Sequence, residues 1–267
     1  MKKSLEGKTV LITGGASGIG RIMSRLMLER KAKVIIWDIN QASIDSTVSE
    51  FSAIGSITGF NVDVSNVIQI KETAAEIKQT LGVVDVLINN AGIVVGKFFS
   101  EHSTSDINKT VEINTSAPMH VAAAFIGGML EQNSGHICNI ASSGGLISNP
   151  KMSVYAASKW AVVGWSDSIR LEMEEMNKKV NVTTIMPYYI NTGMFDGVKS
   201  RIPILDPEAT ALTIVRAIEH NKRMISIPGY IYRLTRFSQG ILPLDVFDWV
   251  MGSVMGVYKT MEHFTGR

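Results

Sequence analysis

The chain has 267 residues, of which 45% are hydrophobic, and its formal net charge is +2. This length and apolar content suffice for one domain with a sizeable core, and the small net charge gives no sign of a polyanionic partner such as nucleic acid. The single cysteine, Cys138, excludes an intrachain disulfide framework and favours a reducing, cytoplasmic location.

The N-terminal stretch MKKSLEGKTVLIT contains two lysines but no long apolar segment ahead of a cleavage site. We interpret it as the approach to a first strand rather than as a signal peptide. No uninterrupted apolar run reaches the length that spans a bilayer, so the sequence predicts no transmembrane segment.

Short apolar runs rich in β-branched residues alternate with longer segments of helical periodicity. Such runs are typical of buried parallel strands, and seven are predicted, at Thr9–Thr13, Lys33–Asp38, Ile57–Asp63, Val83–Asn90, Gly135–Ser142, Val180–Pro187 and Met224–Pro228. The helical segments include Ile19–Arg30, Asn66–Leu81, Ser105–Gln132 and Ser153–Lys178. The alternation predicts an α/β fold with a doubly wound parallel sheet, in a single domain over residues 1–267.

A glycine-rich turn, GGASGIG, follows the first predicted strand and opens the first helix, with Gly14, Gly18 and Gly20 in a G-x-x-x-G-x-G spacing. Glycine permits the tight turn and lets backbone N–H groups approach a pyrophosphate at the helix N-terminus. A purely structural turn is the alternative, but the position within a βαβ unit favours a dinucleotide.

Asp38 ends the second predicted strand, 18 residues after Gly20, near the usual spacing of an acid that binds the adenosine ribose hydroxyls. A carboxylate there would repel a ribose 2′-phosphate, which favours NAD over NADP. Arg21, just past the glycine turn, is the one nearby candidate to bind such a phosphate. A helix cap or loop acid is the alternative role for Asp38.

Asp63 and Val64 end the third predicted strand, where the acid could bind the adenine amino group and the valine could pack on the ring. An N-cap of the next helix is an equally good interpretation of Asp63, and Ser65 is an equally good cap. The stretch YAASK places Tyr155 and Lys159 four residues apart, on one face of a helix. That spacing alone is also compatible with an ordinary helix surface.

Taken together, these motifs resemble those of the short-chain dehydrogenase/reductase family in its single-domain, Rossmann-like form. TGGASGIG matches the family's T-G-x-x-x-G-x-G, and the segment 89–92 matches its N-N-A-G. Asn114, Ser142, Tyr155 and Lys159 match its catalytic tetrad in order and separation.

The resemblance implies an NAD-dependent enzyme with Tyr155 as the general base in alcohol oxidation and the general acid in ketone reduction. Lys159 would lower the tyrosine pKa and bind the nicotinamide ribose, Ser142 would hold the substrate oxygen, and Asn114 would hold a water at a local helix distortion. The implied cofactor-binding residues are Gly14, Ser17, Gly18, Ile19, Gly20, Asp38, Asp63, Val64, Asn90, Ala91, Gly92, Tyr155, Lys159, Pro187, Ile190 and Thr192.

One residue departs from the family pattern, because Tyr188 follows Pro187 where glycine is usual, which places a bulky side chain beside the reaction centre. The segment from Pro187 to Gly193, with the later RMISIP, is similar to the branch acting on hydroxysteroids, retinol and related lipophilic alcohols. Residues 191–205 are predicted as a substrate loop, a mobile lid or an ordinary packed loop, ahead of a helix that begins at Asp206-Pro207.

Residues 230–267 are predicted as a C-terminal helical extension. Six apolar residues follow helical spacing on one face: Phe247, Val250, Met251, Val254, Tyr258 and Met261. Upstream, Arg233 and Arg236 lie among large apolar residues, which would suit a pocket wall, a subunit contact or peripheral docking on a membrane. The five histidines are scattered, so we expect no metal site.

The family's members commonly pair through their two long helices, so a homodimer or homotetramer is predicted. The apolar positions proposed for that contact are Phe125, Met129, Trp160, Val163 and Ile169. The favoured function is hydride transfer between NAD(H) and a small lipophilic secondary alcohol or its ketone. The alternatives are a 3-oxoacyl-thioester reductase that uses NADPH and a non-catalytic NAD(H)-binding sensor.

Overall fold

The computed structural model of the chain describes residues 3–266. Within them, seven strands form one parallel sheet in the order β3-β2-β1-β4-β5-β6-β7. The strands are β1 Thr9–Thr13, β2 Lys33–Asp38, β3 Ile57–Asn61, β4 Val86–Asn89, β5 Gly135–Ile140, β6 Val180–Pro187 and β7 Met224–Ile227. The doubly wound α/β prediction is therefore confirmed, with β3 ending two residues earlier and β4 beginning three residues later than expected.

Nine α-helices of the described part connect and flank these strands. They are α1 Gly18–Leu28, α2 Gln41–Phe51, α3 Val67–Thr80, α4 Thr104–Val111, α5 Ala117–Glu131, α6 Ser153–Glu175, α7 Pro207–Glu219, α8 Gly229–Ile241 and α9 Leu244–Trp249. No helix within residues 3–266 is both long enough and apolar enough to cross a bilayer. Residues 1, 2 and 267, which the sequence assigns to the domain and its extension, lie outside the described range.

Alternate residues of the central strands enter two separate cores, one on each face of the sheet, because successive strand side chains point to opposite faces. Val10 and Ile12 of β1 pack in the core beneath α1 and α7, and Leu11 packs in the core beneath α3 and α5. All three are completely buried. A large aliphatic side chain contributes about 1.5–3 kcal/mol when fully buried, so these strands hold the two helical layers together.

The strand order reverses at β1, since β2 and β3 lie on one side of it and β4 lies on the other. In open α/β sheets, ligands bind outside the carboxyl ends of the strands at such a reversal. Four segments meet there: Gly14 follows β1, Asn90 follows β4, Ser142 comes shortly after β5, and Tyr188 follows β6. The topology thus gathers the predicted motifs at one edge of the sheet.

The single long helix expected over Ser105–Gln132 is wrong. The chain there forms α4, a π-helical turn at Glu112–Ser116 and then α5. Pro118 lies in the first turn of α5, where its missing N–H removes no α-helical hydrogen bond. The wider turn before it accommodates this break in the α-helical ladder.

The extension is also divided, so the predicted stripe on one helix is only partly correct. After α9 come a π-helical turn at Val250–Val254 and a short 3-10 turn at Val257–Lys259. Between them Gly256 adopts a φ of 68°, in the left-handed region that ends helices. Phe247, Met251 and Met261 of the stripe are buried, whereas Val254 is exposed.

The apolar positions proposed for subunit contact mostly serve this chain's own core. Phe125, Met129 and Ile169 are buried in the core beneath α3 and α5, and Val163 is buried beside β6. That part of the expectation is wrong, because their helix faces turn toward the sheet. Trp160 alone of the five is exposed.

Candidate active site

A cavity of about 150 Å³ opens at the carboxyl edge of the sheet. Most of the predicted site residues line it: Gly14, Ser17, Gly18, Ile19, Asn90, Ala91, Gly92, Ser142, Tyr155, Lys159, Pro187, Ile190 and Thr192. The predicted residues that do not line it are Gly20, Asp38, Asp63, Val64 and Asn114. The walls therefore combine the glycine turn, the segments after β4 to β6, and the first two turns of α6.

The glycine turn is shaped to let a ligand approach its backbone. Gly14 and Gly18 adopt φ values of 63° and 49°, which side chains rarely tolerate. A Cβ on Gly20 would lie only 2.0 Å from the Gly14 carbonyl oxygen, so a larger residue there would push the turn apart. The Ser17 side chain makes no capping hydrogen bond, which leaves the N-terminus of α1 facing the cavity. Such a site favours a bound phosphate.

Asn90 fastens this turn to the end of β4. Its Nδ2 donates to the carbonyl oxygens of Thr13, at 3.0 Å, and Gly14, at 3.2 Å. The backbone N–H groups of Asn90 and Ala91 both donate to the Thr13 Oγ1, at 3.0 and 3.1 Å. The two loops that border the strand-order reversal are therefore held in a fixed relation, as the position of a dinucleotide requires.

Asp38 lies beside the glycine turn, where its Oδ2 accepts from the Ala16 N–H and its Oδ1 from the Asn40 N–H, both at 3.2 Å. Arg21 is engaged with α2 instead, in an ion pair with Glu50 and a 3.3 Å hydrogen bond to the Thr47 Oγ1. The carboxylate thus faces the region next to the turn, and the guanidinium is committed to a partner on the neighbouring helix.

The capping roles considered for Asp63 and Ser65 are wrong. The N-cap of α3 is Asn66, whose Oδ1 accepts from the N–H groups of Ile68 and Gln69 at 3.0 and 3.1 Å. Asp63 Oδ1 instead accepts from the N–H and Oγ of Ser65, at 2.9 and 2.7 Å. Asp63 is therefore a loop acid after β3, and the two hydrogen bonds from Ser65 fix the orientation of its carboxylate.

Tyr155 and Lys159 occupy successive turns at the start of α6, and each is only 5% exposed. The Lys159 Nζ donates to the Ile140 carbonyl oxygen at 3.0 Å and lies 5.8 Å from the centre of the tyrosine ring. Ser142 accepts from the Gly144 N–H at 3.0 Å. A Cβ on Gly144 would be in ordinary van der Waals contact with both the Ser142 Oγ and the Tyr155 ring, at 3.4 Å.

The pKa values in this cluster are set first by burial. Burial raises the pKa of Tyr155 to about 12; a hydrogen bond from Ser142 opposes that rise, and nearby Tyr189 adds to it. Burial also lowers the pKa of Lys159 to about 8. The pKa of Tyr155 therefore lies above its ordinary value in the protein without cofactor, because desolvation of the phenolate outweighs the other contributions.

Asn114 lies within the π-helical turn, so the helix is distorted at the expected residue. Its Oδ1 accepts from the Ile93 N–H at 2.8 Å, and its Nδ2 donates to the Ile93 carbonyl at 2.9 Å and to the Ser158 Oγ at 3.1 Å. A Cβ on Gly92 would lie 3.1 Å from this Oδ1 and 3.5 Å from the Lys159 Nζ. Asn114 is therefore buried behind Gly92, and the same glycine lies next to the Lys159 Nζ.

A second, smaller chamber adjoins the first and is enclosed mainly by apolar and aromatic side chains. Ser142, Tyr188 and Phe195 line both chambers. The Phe195 ring packs edge-on against Tyr155, with centres 6.1 Å apart, and against Tyr189, with centres 5.0 Å apart. Phe195 thus lies between the two chambers, and the bulky Tyr188 lines the cavity together with Ser142 and Tyr155.

The C-terminal segment is hydrogen-bonded to the substrate loop and to the residues just before it, a feature that no sequence motif indicates. Thr260 hydrogen-bonds the Tyr189 hydroxyl at 2.9 Å, and Asn149 donates to both of their hydroxyls at 3.1 Å. The backbone of Lys199 donates to the Thr260 carbonyl at 3.2 Å. No local sequence pattern predicts these contacts, because the partners lie far apart in the chain.

A doubly wound parallel sheet with a glycine turn after β1, and with a serine, tyrosine and lysine at its carboxyl edge, defines a dinucleotide-binding oxidoreductase. A sequence profile described as short chain dehydrogenase matches residues 8–202. The chain therefore belongs to the short-chain dehydrogenase family.

Two relatives indicate the branch. Epidermal retinol dehydrogenase 2 of Mus musculus is 32% identical over 273 residues, which cover 100% of this chain and 88% of that protein. Estradiol 17-beta-dehydrogenase 11 of Pongo abelii is 34% identical over 245 residues, which cover 91% and 81%. The crystal structure of a short chain dehydrogenase/reductase from Burkholderia phymatum in complex with NAD aligns with a TM-score of 0.82 at 26% identity, covering 89% of this chain and 94% of that one.

Proposed function

We propose that this enzyme transfers a hydride between NAD(H) and a lipophilic secondary alcohol or its ketone, with Tyr155 as the general acid and base. The observation that carries the proposal is the buried Tyr155 on the wall of the glycine-lined cavity, packed against Phe195, which also lines the adjoining chamber. The relatives named for retinol and estradiol support a lipophilic substrate.

The residues around Tyr155 suit such a substrate. Tyr155 belongs to a cluster of mainly apolar residues that includes Val94, Met152, Tyr189 and Ile202. Ser142 and Tyr155 both line the cavity, and their hydroxyl groups could bind a substrate oxygen. A hydrocarbon skeleton would be desolvated by the apolar walls, while its single oxygen would find two partners.

In oxidation, the Tyr155 phenolate would accept the proton of the substrate hydroxyl while Ser142 hydrogen-bonds the same oxygen. In reduction, the phenol would return that proton to the carbonyl oxygen. Lys159, with a pKa near 8, is predominantly cationic at neutral pH and would favour the phenolate. When bound, the cofactor exchanges the hydride and in its oxidised form adds a positive charge beside the ring.

The proton removed from the substrate needs a path to solvent, and the chain provides a candidate one. Lys159 and Asn114 both lie close to Gly92, since a Cβ on that glycine would be 3.5 Å from the Lys159 Nζ and 3.1 Å from the Asn114 Oδ1. Asn114 is held in place by Ile93 and Ser158, so its orientation is fixed before substrate binds. We therefore assign Asn114 the role of positioning a water that relays the proton from Lys159.

NAD is the preferred cofactor in this proposal. Asp38 presents a carboxylate next to the glycine turn, where it would bind ribose hydroxyls and repel a 2′-phosphate. Arg21, which could have bound such a phosphate, is paired with Glu50. The NAD complex of the Burkholderia phymatum structure is consistent with this preference.

The test is a panel of secondary alcohols and ketones of increasing apolar size, assayed by the absorbance of the reduced nicotinamide with NAD(H) and with NADP(H). We expect turnover with NAD(H) and a rise in kcat/KM as the apolar part grows. Turnover confined to 3-oxoacyl thioesters with NADPH would replace the proposal with thioester reduction. Cofactor binding without turnover of any compound would make the protein a sensor.

A further inference from the structure

Helix α8 carries a second apolar face that does not pack on the protein. Tyr230, Leu234, Phe237 and Ile241 are all exposed and recur at intervals of four, three and four residues. That spacing aligns them along one side of the helix. The side that packs on the body is marked instead by buried Ile231, and the exposed stripe is therefore additional to the core.

The exposed apolar surface continues past α8. Within the described chain, eight of the twenty exposed large hydrophobic residues lie between positions 230 and 254, a far higher density than elsewhere. We call these eight residues the tail face: Tyr230, Leu234, Phe237, Ile241, Leu244, Val246, Trp249 and Val254. Such a concentration of exposed apolar side chains is typical of an interaction site.

Two arginines border the stripe on α8. Arg233 and Arg236 are exposed, and neither forms an ion pair with any carboxylate of residues 3–266. Arg25, Arg30 and Arg170, by contrast, are each paired with a glutamate. Arg236 lies over the Tyr232 ring, 5.8 Å from its centre, which leaves its charge available. The tail face therefore adjoins positive charge that no carboxylate of residues 3–266 neutralises.

The two acidic residues of α9, Asp245 and Asp248, have roles within α9 and its neighbouring turn. The Asp248 Oδ1 accepts a 2.6 Å hydrogen bond from the Tyr258 hydroxyl. Asp245 lies in the first turn of α9, where a carboxylate is favoured by the helix dipole. Neither acid lies on α8, where both unpaired arginines are found.

We propose that the tail face docks on the surface of a phospholipid bilayer that contains anionic lipids. A helix with large apolar residues on one side and arginines beside them is the pattern of helices that lie in a membrane interface. Aromatic residues such as Trp249 and Tyr230 are enriched at the level of the lipid headgroups. In a two-fold contact between copies, the tail face would meet the same surface of its partner, so the arginines of the two copies would repel each other. Lipid phosphates carry the opposite charge and would attract them.

Docking in this way would place the substrate loop at the membrane. Arg201 of that loop donates to the carbonyl oxygens of Ser253, at 3.3 Å, and Val254, so the loop borders the tail face. Ile204 of the same loop is also exposed. A lipophilic alcohol dissolved in the bilayer would then reach the catalytic cavity without crossing water. This consequence rests on the proposed function, whereas the docking itself does not.

The test measures binding of the whole chain to vesicles by flotation, without cofactor or substrate. Vesicles of phosphatidylcholine alone are compared with vesicles that also contain phosphatidylglycerol. The variants are Phe237→Glu and Trp249→Glu on the tail face, and Arg233→Gln combined with Arg236→Gln beside it. Ile68→Glu on α3 is the matched control, because Ile68 and Phe237 are both 68% exposed. Thermal melting checks that each variant is folded.

We expect the wild type to float with the vesicles that contain phosphatidylglycerol and to bind phosphatidylcholine more weakly. Each glutamate on the tail face should weaken binding about tenfold or more, the double arginine variant should remove the preference for anionic lipid, and Ile68→Glu should bind like the wild type. Absence of wild-type binding to either vesicle would overturn the proposal. So would equal weakening by Ile68→Glu, or a change of oligomeric state in Phe237→Glu, which would identify a second copy as the partner.

Discussion

At the scale of single residues, two side chains determine the expected preference for NAD over NADP. Asp38 lies beside the glycine turn, and Arg21 is held away from it by Glu50. Asp38→Asn keeps the shape and the acceptor at Oδ1 but removes the charge and the acceptor for the Ala16 N–H, so the ratio of kcat/KM for NAD over NADP should fall about tenfold. Steady-state kinetics with both cofactors measure this ratio.

The matched control is Arg21→Gln, which should leave the ratio within about twofold because the guanidinium is engaged by Glu50 on α2. A wild-type enzyme with the higher kcat/KM for NADP would contradict the role given to Asp38. A large change in the ratio in Arg21→Gln alone would instead show that the arginine reaches the cofactor.

His136 gives the molecule a built-in sensitivity to acid. Burial lowers its pKa from 6.5 to about 3. Its ring Nε2 lies 2.8 Å from the Thr183 Oγ1, and that hydroxyl donates to the Lys222 carbonyl at 2.6 Å. The imidazole is therefore the donor, in its neutral form.

Because the unfolded chain binds a proton at His136 below about pH 6.5 and the folded chain does not until about pH 3, stability is lost as pH falls through this window. The loss should reach roughly 4 kcal/mol at its lower end. Urea unfolding from pH 7 to pH 4 should show a steeper decline for the wild type than for His136→Gln. The same steepness in both proteins would refute the assignment, and His220→Gln, at an exposed site, should behave like the wild type.

At the scale of elements, α8 has two faces with different energetic roles. Ile231 is buried and belongs to the cluster that contains Tyr155, whereas Leu234, less than one turn later, is 48% exposed. Ile231→Ala should cost about 2–5 kcal/mol, and Leu234→Ala should change the free energy of unfolding by no more than about 0.5 kcal/mol. Urea unfolding of the two variants tests this, and equal effects would show that α8 does not pack as described.

Much of the sheet and of the catalytic edge follows from local sequence. The strands are short β-branched runs, and the glycine turn and the Tyr155–Lys159 spacing lie within single βα or helical units. Helix α2 shows little apolar periodicity, since QASIDSTVSEF is mostly polar and buries only Ile44, Thr47 and Phe51, so its position follows from the strand–helix alternation rather than from its own residues.

The parts of the site that could not be predicted depend on contacts between distant positions. Tyr189 and Thr260 are 71 residues apart, and Asn149 and Thr260 are 111 apart. The position of Phe195 between two chambers depends in turn on Tyr189, so it follows from packing rather than from a motif. The π-helical turn at Asn114 was expected only through the family resemblance, because no local propensity favours it.

At the scale of the whole molecule, assembly remains a prediction with a revised surface. On α6, Trp160 and Leu171 are exposed and eleven residues apart, about three turns, with exposed Gly164 between them on the same side. We expect a two-fold dimer through this face of α6. Trp160→Glu combined with Leu171→Glu should convert it to a monomer in sedimentation velocity experiments at micromolar concentration.

The tail face provides the matched control for that experiment, since Phe237→Glu should leave the dimer intact. A wild-type chain that sediments only as a monomer would contradict the dimer. Dimers that persist in the α6 variant but dissociate in Phe237→Glu would move the contact to the tail face.

The central claim is that Tyr155 exchanges the substrate proton during hydride transfer with NAD(H). The most direct measurement compares Tyr155→Phe with the wild type on the best alcohol of the panel, recording both turnover and the binding of NADH by fluorescence. The ring stays in place and only the hydroxyl is lost, so we predict that kcat falls about a hundredfold or more while the Kd for NADH changes little. Turnover within about twofold of the wild type would contradict the claim and require a different proton acceptor.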